Sequence, residues 1–200
     1  MLPENIIWVG VFINLLLSLW YVKSIFTSGT RPNIVSWLIW MLAPFIGTFL
    51  ALKAGAGFSV LGIFMAGFGP LLVIVFSLFK KNAFWKLEKF DLICGAFSIL
   101  ALLIYVLTFN LEISISFAII SDALAGVPTI IKSWKFPETE NSSPYIGGII
   151  NSGLSLFIIK NWAFSVYSFN IYLIIMCAII IFSIYHKRIF KAKAISPVSS

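Results

Sequence analysis

The sequence predicts an all-α integral membrane protein: seven transmembrane helices, arranged as two parallel three-helix repeats joined by a linker helix (3+1+3). Three observations predict it. Seven long apolar stretches divide the 200-residue chain, lysine and arginine collect in alternate connections, and the first three stretches recur as the last three. Composition agrees: 60% of residues are hydrophobic and 10% charged, with a mean hydropathy of +1.04. A water-soluble chain with so few polar residues could not cover its outside, whereas a bilayer is itself an apolar solvent. The net charge of +7 would suit nucleic acid in a soluble domain, but the charges sit in short clusters between apolar runs. No nucleic-acid partner is expected.

The elements follow in order. Met1-Leu2-Pro3-Glu4-Asn5 lacks the positive start of a signal peptide, and the apolar run behind it continues to Phe26, so it reads as a retained helix. Crossing about 30 Å of hydrocarbon at 1.5 Å per residue takes roughly 20 apolar residues. The stretches that qualify are Asn5 to Phe26, Asn33 to Leu52, Phe58 to Phe79, Phe90 to Phe109, Glu112 to Trp134, Pro144 to Trp162 and Phe164 to Tyr185. Backbone groups find no water in lipid, so each must be helical.

Orientation comes from the basic residues. With the N-terminus outside, the inner connections and tail hold Lys23, Arg31, Lys80, Lys81, Lys86, Lys89, Lys132, Lys135, Lys187, Arg188, Lys191 and Lys193. Only Lys53 and Lys160 fall outside. This bias places the C-terminus in the cytoplasm and fits the plasma membrane. Trp20, Tyr21 and Trp134 near the inner ends, and Trp162 near the outer, suit an aromatic belt.

The repeat is read from ordered matches. Lys23-Ser24 followed by Thr30 recurs as Lys132-Ser133 followed by Thr139, offset by 109 residues; Phe58-Ser59-Val60 recurs as Phe164-Ser165-Val166, and Phe76-Ser77 as Phe182-Ser183, both offset by 106. A three-helix unit ends on the side opposite its start, so one extra crossing makes the two units parallel, a known transporter plan. The units are residues 1–81 and 111–189, with an inner loop and linker helix over 82–110 and a basic tail over 190–200.

Pro128-Thr129 in the fifth helix, Thr139-Glu140 beyond it, and Ser143 together resemble the PQ-loop motif of SWEET and SemiSWEET sugar transporters and lysosomal amino-acid exporters. Thr129 stands where that motif has Gln, and Asn141 where it has Gly; Leu19 occupies the position of the proline in the first repeat. The 3+1+3 plan is also similar to that of SWEETs and of the PnuC vitamin transporters. The resemblance implies a carrier of a sugar, amino acid or vitamin-like solute. It also implies a binding asparagine on the third helix of a unit, which Asn170 matches.

Asp122 is the residue most informative about chemistry, lying about ten residues from each end of the fifth stretch. A charge at the bilayer centre costs on the order of 2.5–3.5 kcal/mol, so such a carboxylate usually faces a cavity or a partner. It reads as a proton carrier or as a counter-charge for a cationic substrate; the alternative is a neutral Asp hydrogen-bonded between helices. Asn14, Asn151 and Ser152 lie at similar depth, where repeat transporters place their site. They serve equally as interhelical hydrogen bonds. Trp40 could stack on a ring or face lipid. Pro44, Pro70 and Pro128 interrupt three helices and read either as hinges or as static packing.

Transport of a small polar solute by alternating access is the first reading, with proton coupling through Asp122 as its extension. A ligand-binding receptor or sorting protein on the same scaffold is the alternative. Catalysis is not expected, because the one histidine, His186, lies at the inner end of the last helix and Asp122 has no second carboxylate beside it. Cys94 and Cys177 read as packing residues. No metal or cofactor is expected, and the partners are the solute and membrane lipids, with homo-oligomerisation left open. Asp122→Asn should leave the protein inserted but abolish solute uptake or its pH dependence. Wild-type uptake by that variant from pH 5 to 8 would remove Asp122 from the coupling role.

Overall fold

In the computed structural model, residues 4–53, 60–108, 110–159 and 162–195 are described. Seven α-helices run through them: α1 (Ile7–Thr27), α2 (Ile34–Lys53), α3 (Val60–Ser77), α4 (Lys89–Leu107), α5 (Leu111–Lys135), α6 (Ser143–Ile158) and α7 (Phe164–Ile195). Short 3-10 turns at Glu4–Ile6 and Pro137–Thr139 complete the described regular structure. Each helix falls on one of the apolar stretches. Phe58, Ser59, Phe109 and Lys160, which mark ends and repeat matches in the sequence, lie outside the described residues.

Local chemistry sets several helix ends. Asn33 Oδ1 accepts from the backbone of Val35 at 3.1 Å, and Asn110 Oδ1 from Glu112 and Ile113 at 3.0 and 3.1 Å. Asn141 Oδ1 accepts from Ser143 at 2.9 Å. Each satisfies donors that the first turn leaves without an intrahelical partner. Just beyond α1, Gly29 takes a φ of 74°, the left-handed conformation in which a chain leaves a helix most readily with glycine.

Four segments are long and apolar enough to cross a membrane: Ile7–Thr27, Lys89–Leu107, Glu112–Lys135 and Val166–Phe190. α2 and α3 contain shorter apolar stretches, Ile34–Phe49 and Leu61–Ser77. With its 16 residues α6 reaches only about 24 Å, and α7, with 32, about 48 Å. α7 continues as helix past the 190 boundary at which the sequence suggests a tail.

Packing pairs the helices in a regular way. α3 lies against both α1 and α2, and α7 against both α5 and α6. The two triplets meet through α1 on α6 and α2 on α5, while α4 rests on α5 and α2. Exchanging α1, α2, α3 for α5, α6, α7 converts one inter-triplet contact into the other. Each triplet also has its own apolar cluster, one around Tyr21, Ile25, Trp37 and Val73, the other around Tyr145, Met176 and Ile180. Trp40 packs against both.

Large apolar side chains face outward, among them Phe12, Leu16 and Trp20 on α1 and Leu92, Phe97, Leu100 and Leu103 on α4. Polar groups lie inside: Ser36, Ser98, Ser121, Thr129 and Ser133 are fully buried. This distribution inverts that of a water-soluble protein and is compatible with lipid contact. Trp20, Trp134 and Trp162 are exposed as a belt requires, but Tyr21 is 0% exposed and belongs to the interior. His186 is also buried; its ring stacks on Trp134 at 3.8 Å and its Nδ1 lies 2.7 Å from the Ser183 carbonyl. Both side chains were expected at an interface, and each instead has a ring surface that a neighbouring helix covers.

Close approach of α1 and α3 depends on Gly69. A methyl group there would lie 2.6 Å from Ser18 Oγ and 3.5 Å from its Cβ. Gly69→Val should therefore lower the stability of the purified protein by about 1–3 kcal/mol through overpacking, measured as a shift in thermal or denaturant unfolding in detergent.

Candidate functional site

Between the triplets lies a cavity of about 100 Å³, bordered by every helix except α4. α1 contributes Asn14 and Ser18, α2 Trp37, Trp40 and Pro44, and α3 Pro70; α5 contributes Asp122 and α6 Tyr145, Asn151 and Ser152. A wider cavity of about 920 Å³ lies toward the Asn5 end and shares Pro44, Asn151, Ser152 and Phe169 with the smaller one. Asn170 and Tyr105 border only the wider space.

Asp122 is 3% exposed. Tyr172 on α7 donates its hydroxyl to Asp122 Oδ2 at 2.7 Å, and the Trp40 indole N–H lies 3.4 Å from the Asp122 backbone carbonyl. The partner of the carboxyl group is thus a tyrosine on another helix. Ser121, next along α5, points the other way and donates to the Ser98 carbonyl on α4 at 2.8 Å. Successive residues of a helix diverge by about 100°. So Asp122 faces the cavity while Ser121 fastens the α4 side.

The remaining polar groups are unequal. Asn14 Oδ1 accepts from Ser18 Oγ at 3.4 Å. Asn151 Oδ1 and Ser152 Oγ are buried without a hydrogen-bond partner among the described residues. Buried polar atoms are rarely left so, because each forgoes hydration worth about 1–3 kcal/mol. Both border both cavities. Among the described residues, neither cavity is bordered by a lysine, arginine or histidine, and Asp122 is the one bordering carboxylate.

Of the residues predicted from sequence, Asp122, Asn14, Asn151, Ser152, Trp40, Pro44 and Pro70 meet at the smaller cavity. Asn170 borders the wider cavity, and its side chain donates to the Val166 carbonyl on its own helix at 3.4 Å. Pro128 and Thr129 are buried and border neither cavity. Thr129 donates to Ser36 Oγ at 2.8 Å, and Ser36 donates to the Ala125 carbonyl at 2.5 Å. That chain of hydrogen bonds locks α2 to α5 in the turn loosened by Pro128.

The Arg31 end is closed. Glu140 accepts from the Tyr21 hydroxyl at 2.6 Å and pairs with Lys132 at 2.5 Å, both ionic side chains being at most 2% exposed. Lys132 also donates to the Arg31 carbonyl at 2.5 Å, and the Arg31 N–H donates to the Thr139 carbonyl at 2.9 Å. These bonds join the α1–α2 connection of one triplet to the α5–α6 connection of the other. Above them the rings of Tyr21, Trp37, Trp40 and Tyr145 follow one another at centroid distances of 4.8, 5.6 and 6.2 Å. Lys132 was counted from sequence among the exposed topology charges; its place in the last turns of α5 and the pull of Glu140 bury it instead.

The sequence reading missed Tyr172, Tyr21 and the Lys132–Glu140 pair. For the pair a signal existed: the repeat offset of 109 aligns Lys132 with Lys23 and Glu140 with Arg31, an exchange of charge at equivalent connections. Tyr172 has no such marker within its apolar run. Cys94 and Cys177 are buried and free. Among the described residues no group of three His, Cys, Asp or Glu side chains is placed to hold a metal ion. No family model matches the chain, no curated protein matches it, and no solved structure matches it.

Removing one partner of a buried ion pair strands the other charge, at a cost of about 3–5 kcal/mol, whereas replacing both by apolar groups is often neutral. Glu140→Gln should lower the unfolding free energy in detergent by about that amount. Lys132→Met combined with Glu140→Leu should recover most of the loss.

Proposed function

We propose that this chain is a carrier of a small polar solute, working by alternating access between two three-helix units, with α4 as the linker. In this reading all seven helices cross the plasma membrane, the N-terminus outside and the C-terminus in the cytoplasm. The chain then follows the 3+1+3 plan of SWEET- and PnuC-like carriers, with Pro128-Thr129 and Thr139-Glu140 as its likeness to the PQ-loop motif.

The observation that carries the proposal is a largely apolar cavity between the triplets, with Asp122, Asn14, Asn151 and Ser152 among its lining, that widens toward the Asn5 end and is sealed at the Arg31 end by a buried ion pair. It is the arrangement expected of one half of a transport cycle. The interchangeable contacts, α1 on α6 and α2 on α5, support a rocking motion, because opening one end slackens one while the other is kept. Pro44 and Pro70 border the cavity in the middle of α2 and α3, where a missing backbone bond lets a helix bend.

The ion pair suits a gate for an energetic reason. Its burial gains little net stability, since desolvation offsets most of the Coulomb attraction. Separating Lys132 from Glu140 into water restores hydration to both, so opening need not cost many kcal/mol. The solute would descend from the Asn5 end to Asn151, Ser152 and Asp122, and leave once Tyr21, Glu140 and Lys132 part.

The test is two-sided labelling. A Ser18→Cys variant, made in a background with Cys94 and Cys177 replaced, should react in proteoliposomes with an impermeant thiol reagent from the Asn5 side. It should also react, more slowly, from the Arg31 side; adding the Lys132→Met, Glu140→Leu pair, which gains no hydration on parting, should lower the rate from that side about tenfold, the effect of about 1.4 kcal/mol in favour of the closed state. Labelling confined to one side in every variant, together with absence of solute flux, would overturn the carrier.

A further inference from the structure

We infer that the solute is a small organic cation, whose charged nitrogen is held by the Asp122 carboxylate against aromatic walls. This deepens the carrier reading and rests on it for the site's purpose, though not for the site's chemistry.

The charge of the surroundings selects the sign. Among the described residues, the two cavities are bordered by one carboxylate and by no lysine, arginine or histidine. An anion would leave water for a place beside Asp122 where no described residue offers a counter-charge, which disfavours anions. From the neighbouring helices Asp122 meets a tyrosine hydroxyl of α7 and the indole of Trp40 on α2. Both are neutral. A carboxylate so placed remains electrostatically incomplete, and a cation in the cavity completes it.

The walls favour a cation over a neutral polyol. Trp37, Trp40, Tyr145 and Phe169 border the 100 Å³ cavity, and Trp40 stands edge-on to Tyr145, with ring planes at 79°. Aromatic faces attract a desolvated cation by about 2 kcal/mol or more. A sugar would instead need a partner for every hydroxyl it buries. Among the described residues bordering the cavities, the buried side-chain oxygens without a partner are few: Asn151 Oδ1, Ser152 Oγ and the Tyr145 hydroxyl. They suit one N–H or O–H donor on the body of the solute, a short distance from its charged head.

Size and asymmetry refine the class. The inner cavity admits a head of a few heavy atoms, and the wider one of about 920 Å³ takes the rest. At the repeat offset of 109, the position equivalent to Asp122 is Ile13. One triplet thus supplies the charge, and a single positive centre, not a polyamine, is the match.

Choline and its uncharged carbon isostere, 3,3-dimethylbutan-1-ol, test this without identifying the natural solute. Binding to the purified wild-type protein in detergent is followed by tryptophan fluorescence and by thermal stabilisation. Choline should bind saturably and at least about tenfold more tightly than the isostere. Asp122→Asn should lose about tenfold in choline affinity, with isostere affinity unchanged, while Asp122→Glu keeps most of it. Equal affinity of the two probes for the wild type, absence of saturable choline binding, or full choline affinity in a folded Asp122→Asn variant would each overturn the assignment. The probe comparison on wild-type protein stands even if that variant fails to fold. Proteoliposome uptake separates the two readings. Choline binding without flux of any solute would sink the carrier and leave the cation site. Flux of neutral solutes undiminished by Asp122→Asn would sink the cation assignment and leave the carrier.

Discussion

Polar groups in this chain have few places to go. The outer faces of α1 and α4 are covered by Phe12, Leu16, Leu92, Phe97 and Leu103, so serines, asparagines and charges are driven between the helices. There each must find a partner or lose the free energy of hydration. Most do: Ser121 reaches α4, Thr129 and Ser36 tie α2 to α5, and Tyr21, Lys132 and Glu140 satisfy one another. The interior is built largely from such pairings.

Some of the exceptions border a cavity. Asn151 Oδ1 and Ser152 Oγ border a cavity together with Asp122, and the cavity widens toward one end of the bundle. At the other end the same currency of hydrogen bonds and charge is used to close the structure, through the connections α1–α2 and α5–α6. Trp40 belongs to both halves of this design. It packs on the apolar cluster of each triplet, borders the cavity and touches the backbone of Asp122. A shift of one triplet against the other would therefore be felt at the carboxylate itself.

The helices and their order were legible because apolar length and helical backbone are local properties. A run of twenty residues without charges has one way to satisfy its backbone in an apolar surrounding, wherever it lies in the chain. Asp122, Asn14, Asn151 and Ser152 stood out for a related reason, as costly residues in the middle of such runs. Tyr172 did not, since a tyrosine is tolerated anywhere along a half-apolar helix and only its facing of Asp122, 50 residues away, gives its hydroxyl a role. Lys132 was misplaced because a lysine near a helix end reads as solvated, and nothing local reveals that Glu140 folds back to cover it.

The sequence alone settled the helical class, the approximate limits of the helices and the rarity of charge within them, all consequences of how each residue type meets an apolar environment. Tertiary structure decided which polar residues are spent on holding helices together and which are left facing a cavity. Asp122 and Ser121 are neighbours in the chain, yet one borders that space and the other fastens α4. The difference is a rotation of about 100° around a helix axis, which acquires meaning only when the other helices are in place.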